Sequence, residues 1–289
     1  MEAFWQQFFA GLANGCIYGP MALALVMIHQ ATHHVNFAQG EMATFGTICA
    51  WALLQMGWPY WAAFGVTVAG SFVGGVLIQQ TVIRPFERAP VLTNIVVSIG
   101  LLLVFNAITG WIFDHTVRPF PSPFAGIPAF GSYLSSHQVG TIMVMLLVLF
   151  LVFAFFRFTP MGLAMKAAAQ NPESARLVGI SVTWMLALGW GLASAIGVIA
   201  GMLVAPIVFL DPHMMGAIFL YGLASALLGG IDSPVGAIVG GFIVGVLENL
   251  VGAFVLGNEL KLTFALVLIV ATLMIRPFGL FGRPVVTRV

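Results

Sequence analysis

Residues 91–113 read VLTNIVVSIGLLLVFNAITGWIF, a charge-free run bounded by Pro90 and Asp114. A helix needs about 20 apolar residues to cross the hydrocarbon core of a bilayer, so this run reads as a membrane span. Working outward, the few charges punctuate further runs of the same kind. Between Glu2 and Arg84 the only charge is Glu41. Spans are expected near residues 8–28, 37–56, 60–82, 91–113, 138–156, 184–209, 213–230, 234–256 and 261–275. The segment at 213–230 is short and Gly-rich, and the one at 37–56 opens with Asn36, Gln39, Gly40 and Glu41. Either is a candidate for a broken or re-entrant helix. The fold class is therefore all-α: a polytopic transmembrane bundle of about eight or nine spans, forming one membrane domain over residues 1–289.

Composition excludes the other classes. The chain is 61% hydrophobic and 7% charged, with a mean hydropathy of +1.07, whereas soluble domains carry roughly 25% charged residues. A net charge of +1 leaves no basic patch for nucleic acid, and the same arithmetic excludes disorder. Met1–Gln7 carries Glu2 and no basic residue, and no small-residue cleavage site follows, so the first apolar segment is expected to persist rather than act as a cleaved signal. The two cysteines, Cys16 and Cys49, lie in apolar stretches and read as small hydrophobes.

Orientation follows from the basic residues. Arg84 with Arg88, then Arg157, Lys166 and Arg176, then Arg276, Arg283 and Arg288 occupy three connections that parity puts on one side. The positive-inside rule makes that side cytoplasmic, with Arg118 and Lys261 as outer exceptions and the N-terminus outside if all nine segments cross. The Asp114–Ser136 connection, with Pro119, Pro121, Pro123 and Pro128, is then an external, non-helical loop. Four-residue glycine spacings at Gly236/Gly240, Gly241/Gly245, Gly70/Gly74 and Gly197/Gly201 are expected to serve tight helix packing.

No nucleotide-binding loop, metalloprotease motif or nucleophile elbow is visible, so any ATP that powers the protein binds another chain. His29, His33 and His34 lack an acidic or Cys partner nearby and read as a solvated interfacial cluster; neither a metal site nor a cofactor is expected. Glu41 and Glu248 carry more information. An ionisable group inside a span costs at least roughly 2.5 kcal/mol and faces the bundle interior or water. Both residues are candidates for the translocation pathway, together with Asn36 and Gln39. For each Glu the competing reading is a buried interhelical hydrogen bond that locks packing.

The connection at 157–183 is long for a polytopic protein and is punctuated as two short helices. Thr159 caps a helix with Pro160 at its first position, and Asn171 caps another with Pro172 at its first position and Gly179 as its stop. From Pro172 to Val178 such a helix is roughly 10 Å long and must lie at the cytoplasmic surface. Ala167, Ala168, Ala169, Ala175, Leu177 and Val178 would give it a small apolar face for a protein partner.

Taken together, these residues resemble the LivH-type permease subunits of branched-chain amino acid ABC importers, nearly end to end. The resemblance rests on Gly11–Gly15, Asn36–Glu41, Arg84-Pro85-Phe86 with Ala89-Pro90, Ser98–Leu101, Gly229-Gly230 through Ala237, Gly240-Gly241 through Glu248, and Arg276–Gly282. It implies that the 157–183 connection seats in an ATPase subunit. Glu173, Ala175 and Gly179 are similar to the family's Glu-Ala-Ala-x-x-x-Gly core, with Ser174 at the second position and no Leu-Pro end. Gln39 stands where family members usually carry His. The resemblance further implies two ATPase subunits, a second, paralogous permease subunit, an extracytoplasmic solute-binding protein, and a bacterial inner plasma membrane. The rival reading is a self-contained secondary transporter or channel for a small polar solute. It would be expected to place several ion-coordinating groups at mid-depth, where only Glu41 and Glu248 qualify. An intramembrane enzyme would need a nucleophile with a base or a metal set.

Overall fold

The computed structural model describes residues 1–32, 34–87, 89–124 and 133–282; His33, Arg88, Pro128, Arg283 and Arg288 lie outside them. The described residues form helices and loops without a strand, apart from isolated bridge residues such as the Arg118–Leu210 pair. In chain order the helices are α1 (Glu2–Thr32), α2 (Gln39–Gln55), α3 (Tyr60–Ile78), α4 (Val91–Phe113), α5 (Ser136–Phe158), α6 (Pro160–Gln170), α7 (Pro172–Leu177), α8 (Val182–Val208), α9 (Met215–Gly229), α10 (Pro234–Val251) and α11 (Lys261–Ile275). Five-residue π-helical turns at Gln79–Ile83 and Gly252–Leu256 prolong α3 and α10. Seven of these rods are long and apolar enough to cross a membrane. The protein is therefore a multi-pass membrane protein, and the nine expected segments correspond to the seven rods plus the shorter α2 and α9.

Burial separates centre from periphery. In α1 89% of the most apolar stretch is buried and in α8 78%, against 17% in α3, α4 and α5 and 11% in α11. An all-apolar helix buried on every side is a core helix, and one with a bare apolar face meets lipid. Thus α1 and α8 form the centre.

Glycine seams bring the backbones together. On α10, Gly241 and Gly245 face α1, where a Cβ on Gly245 would come 2.5 Å from Gly15 N and 2.6 Å from Gly11 O. Gly236 and Gly240 face the other way, against Gly229 and Ser225 of α9. The two spacings on one helix thus serve two different neighbours. Gly197 and Gly201 likewise receive α2, but Gly70 and Gly74 have open space where a Cβ would sit. That pair does not pack within this chain, because α8 instead meets α3 through Gly75 and Gly191.

The three Arg-bearing connections share one end. Thr32, Arg84 and Arg176 line one cavity, Gln30 Nε2 donates to Asp232 O over 2.8 Å, and the chain after Arg276 returns onto Leu228 and Gly229 through backbone hydrogen bonds from Leu280 and Phe281. At the other end Arg118 Nη2 donates to Phe113 O and its guanidinium lies 4.5 Å over the Trp51 ring. The described part of the 114–136 connection is non-helical and packs down through buried Phe120 and Phe124.

Two helices begin deep inside. α2 runs parallel to α8, with Gln39 beside Ala193 and Gly197 and Thr47 beside Gly201. Ala193 is roughly 16 Å along α8 from Val182, so α2 starts near mid-depth and not at the surface. α9 starts against the same place, with Met215 O and Phe219 Cβ 3.4 and 3.3 Å from where a Gly40 Cβ would be, and runs back to Gly229.

Candidate functional site

The chain break before α2 is built by its own amides. Asn36, fully buried, accepts from Ala38 N through Oδ1 at 3.0 Å and donates to Gln39 Oε1 at 3.4 Å. Gln39, also fully buried, spends its Nε2 on Ala193 O at 2.8 Å. This satisfies polar groups that lipid could not. Gln39 thus ties α2 to α8 by donating and accepting as an amide, which requires no titratable group.

Glu41, 7% exposed, follows in the first turn of α2 and looks the other way. Its Oε2 accepts from Asn106 Nδ2 at 3.3 Å, and the same amide lies 3.0 Å from His213 Nδ1. The His213 ring stacks on His115 at 6.4 Å between centroids, while Asp211 Oδ1 accepts from His213 N at 2.6 Å. His115 and His213 are exposed at the end that carries Arg118. Glu41 is therefore the inner member of a polar chain that reaches the end of the bundle opposite the Arg-bearing connections. Asn106, His115, Asp211 and His213 were not candidates from the sequence; a lone Asn late in an apolar span was the available signal.

Glu248, 3% exposed, belongs elsewhere. Lys261 Nζ sits 3.2 Å from its Oε1, and Asn14 Nδ2 and the Tyr18 hydroxyl each donate to Oε2 at 3.4 Å. Lys261 also donates to Asn249 Oδ1 at 2.8 Å. The cluster joins α1, α10 and α11, and the Tyr18 ring stacks on Tyr221 of α9 at 4.8 Å. The two acidic residues share no partner.

The 157–183 connection has the expected caps. Thr159 Oγ1 accepts from Gly162 N at 3.0 Å, and Asn171 Oδ1 accepts from Ser174 N at 2.9 Å. Gly179 adopts φ +83°, and Ile180 N returns to Ala175 O at 3.0 Å, the αL stop that Gly allows. One expectation needs correction. Ala175 and Ala168 do not form an outward docking face: they are 3% and 1% exposed, packed with Val182 and Leu186 of α8. What α7 offers outward is Glu173, Ser174, Arg176, Leu177 and Val178, with Leu177 88% exposed. For these two alanines the assignment failed because α8 covers them, while Leu177 and Val178 of the same expected face do point outward.

Among the described residues no three His, Cys, Asp or Glu side chains converge as a metal site. His34 is buried, with Nδ1 2.9 Å from Thr32 O, and His29 Nδ1 lies 3.7 Å from Asp232 Oδ1, so these two are not the solvated cluster expected.

Comparison with known proteins supplies a family. The profile of the family described as "Branched-chain amino acid transport system / permease component" matches residues 7–273. The high-affinity branched-chain amino acid transport system permease protein LivH of Salmonella typhimurium is 28% identical over 305 residues, covering 99% of this chain and 98% of that protein. The BraD permease protein of Pseudomonas aeruginosa is also 28% identical, with the same coverage. A probable LivH permease protein of the archaeon Methanocaldococcus jannaschii is 27% identical over 91% of this chain and 87% of its own length. Among solved structures, PsaBC from Streptococcus pneumoniae in complex with Fab shares the fold at a TM-score of 0.51 and 13% identity, over 94% of this chain and 92% of that one.

Proposed function

We propose, for a chain that belongs to the family of branched-chain amino acid transport system permease components, that it forms half of the translocation pathway of an ATP-driven importer of branched-chain or related amino acids. The hydrolysing subunits are two separate ATPase chains, the second half of the pathway is a paralogous permease subunit, and a solute-binding protein delivers the amino acid from outside. The home of the assembly is the bacterial inner plasma membrane, and residues 1–289 act as one membrane domain with 157–183 as its coupling connection.

The observation that carries this reading is a continuous mechanical link. The α7 helix is a short capped rod whose outer face is bare and whose inner face, through Ala175, is packed on α8. The α8 helix in turn accepts the Gln39 amide at Ala193, two residues before Glu41. A push on Glu173, Leu177 or Val178 is thereby passed to α8 and on to the deep start of α2. Glu41, with Asn106 beside it, is the residue that meets the solute's ammonium group from the external side. Glu248, neutralised by Lys261, holds α1, α10 and α11 and is not a contact of the solute.

The test is reconstitution with the ATPase and binding-protein partners. Leu177→Asp is expected to abolish solute-stimulated ATP hydrolysis and uptake together while the permease still inserts, because a charge replaces an apolar contact at the docking face. Gly179→Val is expected to do the same by straining the αL turn. If both variants sustain stimulated hydrolysis and uptake at the unmodified level, the coupling role falls.

A further inference from the structure

At the cytoplasmic end a cavity of about 520 Å³ opens between α7, the turn after α3, the start of α4 and the end of α1. That is the size of a small-molecule site, for which roughly 300–1,000 Å³ is usual. Its walls bring three chemistries together. Arg84 and Arg176 supply two guanidinium groups from different connections. Asn94 supplies a side chain 6% exposed whose Oδ1 meets no hydrogen-bond partner among the described residues. Ile83, Val182 and Leu186 supply an apolar floor.

Each wall narrows the occupant. Two guanidiniums on one cavity, that of Arg84 also donating through Nη1 to Gln80 Oε1 at 3.3 Å, suit a carboxylate or a phosphate through charge-assisted bonds. A buried carbonyl oxygen without a donor costs about 1–3 kcal/mol, which favours an occupant that can also donate a hydrogen bond. A bare anion leaves that oxygen unsatisfied and stands beside Glu87, whose Oε1 is held by Gln79 Nε2 at 2.9 Å on the same wall. A compact molecule that carries a carboxylate, an ammonium group and an aliphatic chain satisfies all three walls.

We infer that this cavity binds a free α-amino acid with an aliphatic side chain from the cytoplasmic side, its carboxylate on Arg84 and Arg176 and its ammonium toward Asn94 Oδ1 and Glu87. Because Arg176 belongs to α7 and Arg84 to the α3–α4 turn, such an occupant clamps the coupling helix to a second connection. It acts as a feedback brake: accumulated amino acid holds α7 still. The braking role rests on the importer reading above; the binding itself does not.

The test uses the permease–ATPase complex in lipid nanodiscs, without binding protein, with L-leucine as the probe. Saturable leucine binding is expected, with slowed ATP hydrolysis at saturation. Arg84→Gln and Asn94→Leu are each expected to weaken binding by about tenfold or more, the loss of one charge-assisted or buried hydrogen bond. Isocaproate, which lacks the ammonium group, and isopentylamine, which lacks the carboxylate, are expected to bind more weakly by a similar factor. In sealed proteoliposomes supplied with binding protein, the initial rate of uptake by the Arg84→Gln complex, before amino acid accumulates inside, is expected to match that of the unmodified one. If leucine does not bind, if isocaproate binds as tightly, or if both variants bind as the parent does, the cavity assignment is overturned. If the unmodified complex takes up no amino acid yet binds leucine in an Arg84-dependent way, the importer reading falls and the cavity assignment stands.

Discussion

Glu41 and Glu248 are indistinguishable by composition, each a lone carboxylate in an apolar run, yet the structure treats them oppositely. Glu248 has a cation 3.2 Å away and two further donors from another helix, so its charge is spent inside the protein. Glu41 has one neutral amide, shared with an imidazole, and a polar line to the end of the bundle that carries His115 and His213. The difference is one of partners. A buried carboxylate that is fully paired acts as a fastener, and one that is only partly paired keeps room for a further partner.

The sharpest way to break that contrast is to remove the cation. Lys261→Met strands Glu248 and is expected to destabilise the permease by about 3 kcal/mol, the cost of breaking one partner of a buried pair. Replacing both, as Glu248→Met with Lys261→Met, is expected to recover most of that loss in detergent unfolding. A double variant no more stable than the single one would mean that Glu248 does more than fasten.

A smaller loss tests the same joint without charge. Gly245→Val wedges apart α1 and α10 beside Glu248, and overpacking of this kind costs about 1–3 kcal/mol. Unchanged stability would show that the seam is not tight.

Glu41→Gln should leave stability within about 1 kcal/mol, as expected of a change that keeps shape. Uptake, by contrast, is expected to fall by about tenfold, equivalent to one charge-assisted contact. Full transport by that variant would return Glu41 to a packing role and erase the contrast. Least affected is Lys166→Ala: its exposed ammonium only hovers 5.7 Å from the Phe156 ring, an interaction worth about 0.5–1 kcal/mol, and uptake is expected to hold. A loss there comparable to that of Leu177→Asp would shift the docking face from α7 to α6.

Much of the bundle was readable from charge punctuation. The spans at 91–113 and 261–275 match α4 and α11 end for end, and the Thr159 and Asn171 caps were legible because a cap is a local pattern. What escaped was everything decided at long range. Helices apolar all round carry no stripe to tell the α1 centre from the α4 edge. The Glu248 fastener depends on Asn14, 234 positions away. Ala175 turned inward because α8 offered Leu186 and Val182, and nothing in the sequence of α7 records that. Gly70 and Gly74 have the same spacing as Gly241 and Gly245 but no backbone opposite.

The deep start of α2 also has a consequence for how the protein is made. Gln39 finds its acceptor at Ala193, 154 residues later in the chain. At a ribosomal pace of about 5–20 residues per second, roughly 8–30 s pass between the synthesis of the two. Throughout that interval the Gln39 amide has no acceptor on α8, and bare lipid is a costly place for it. The second segment therefore completes its hydrogen bonding only after α8 has been made, long after its own synthesis.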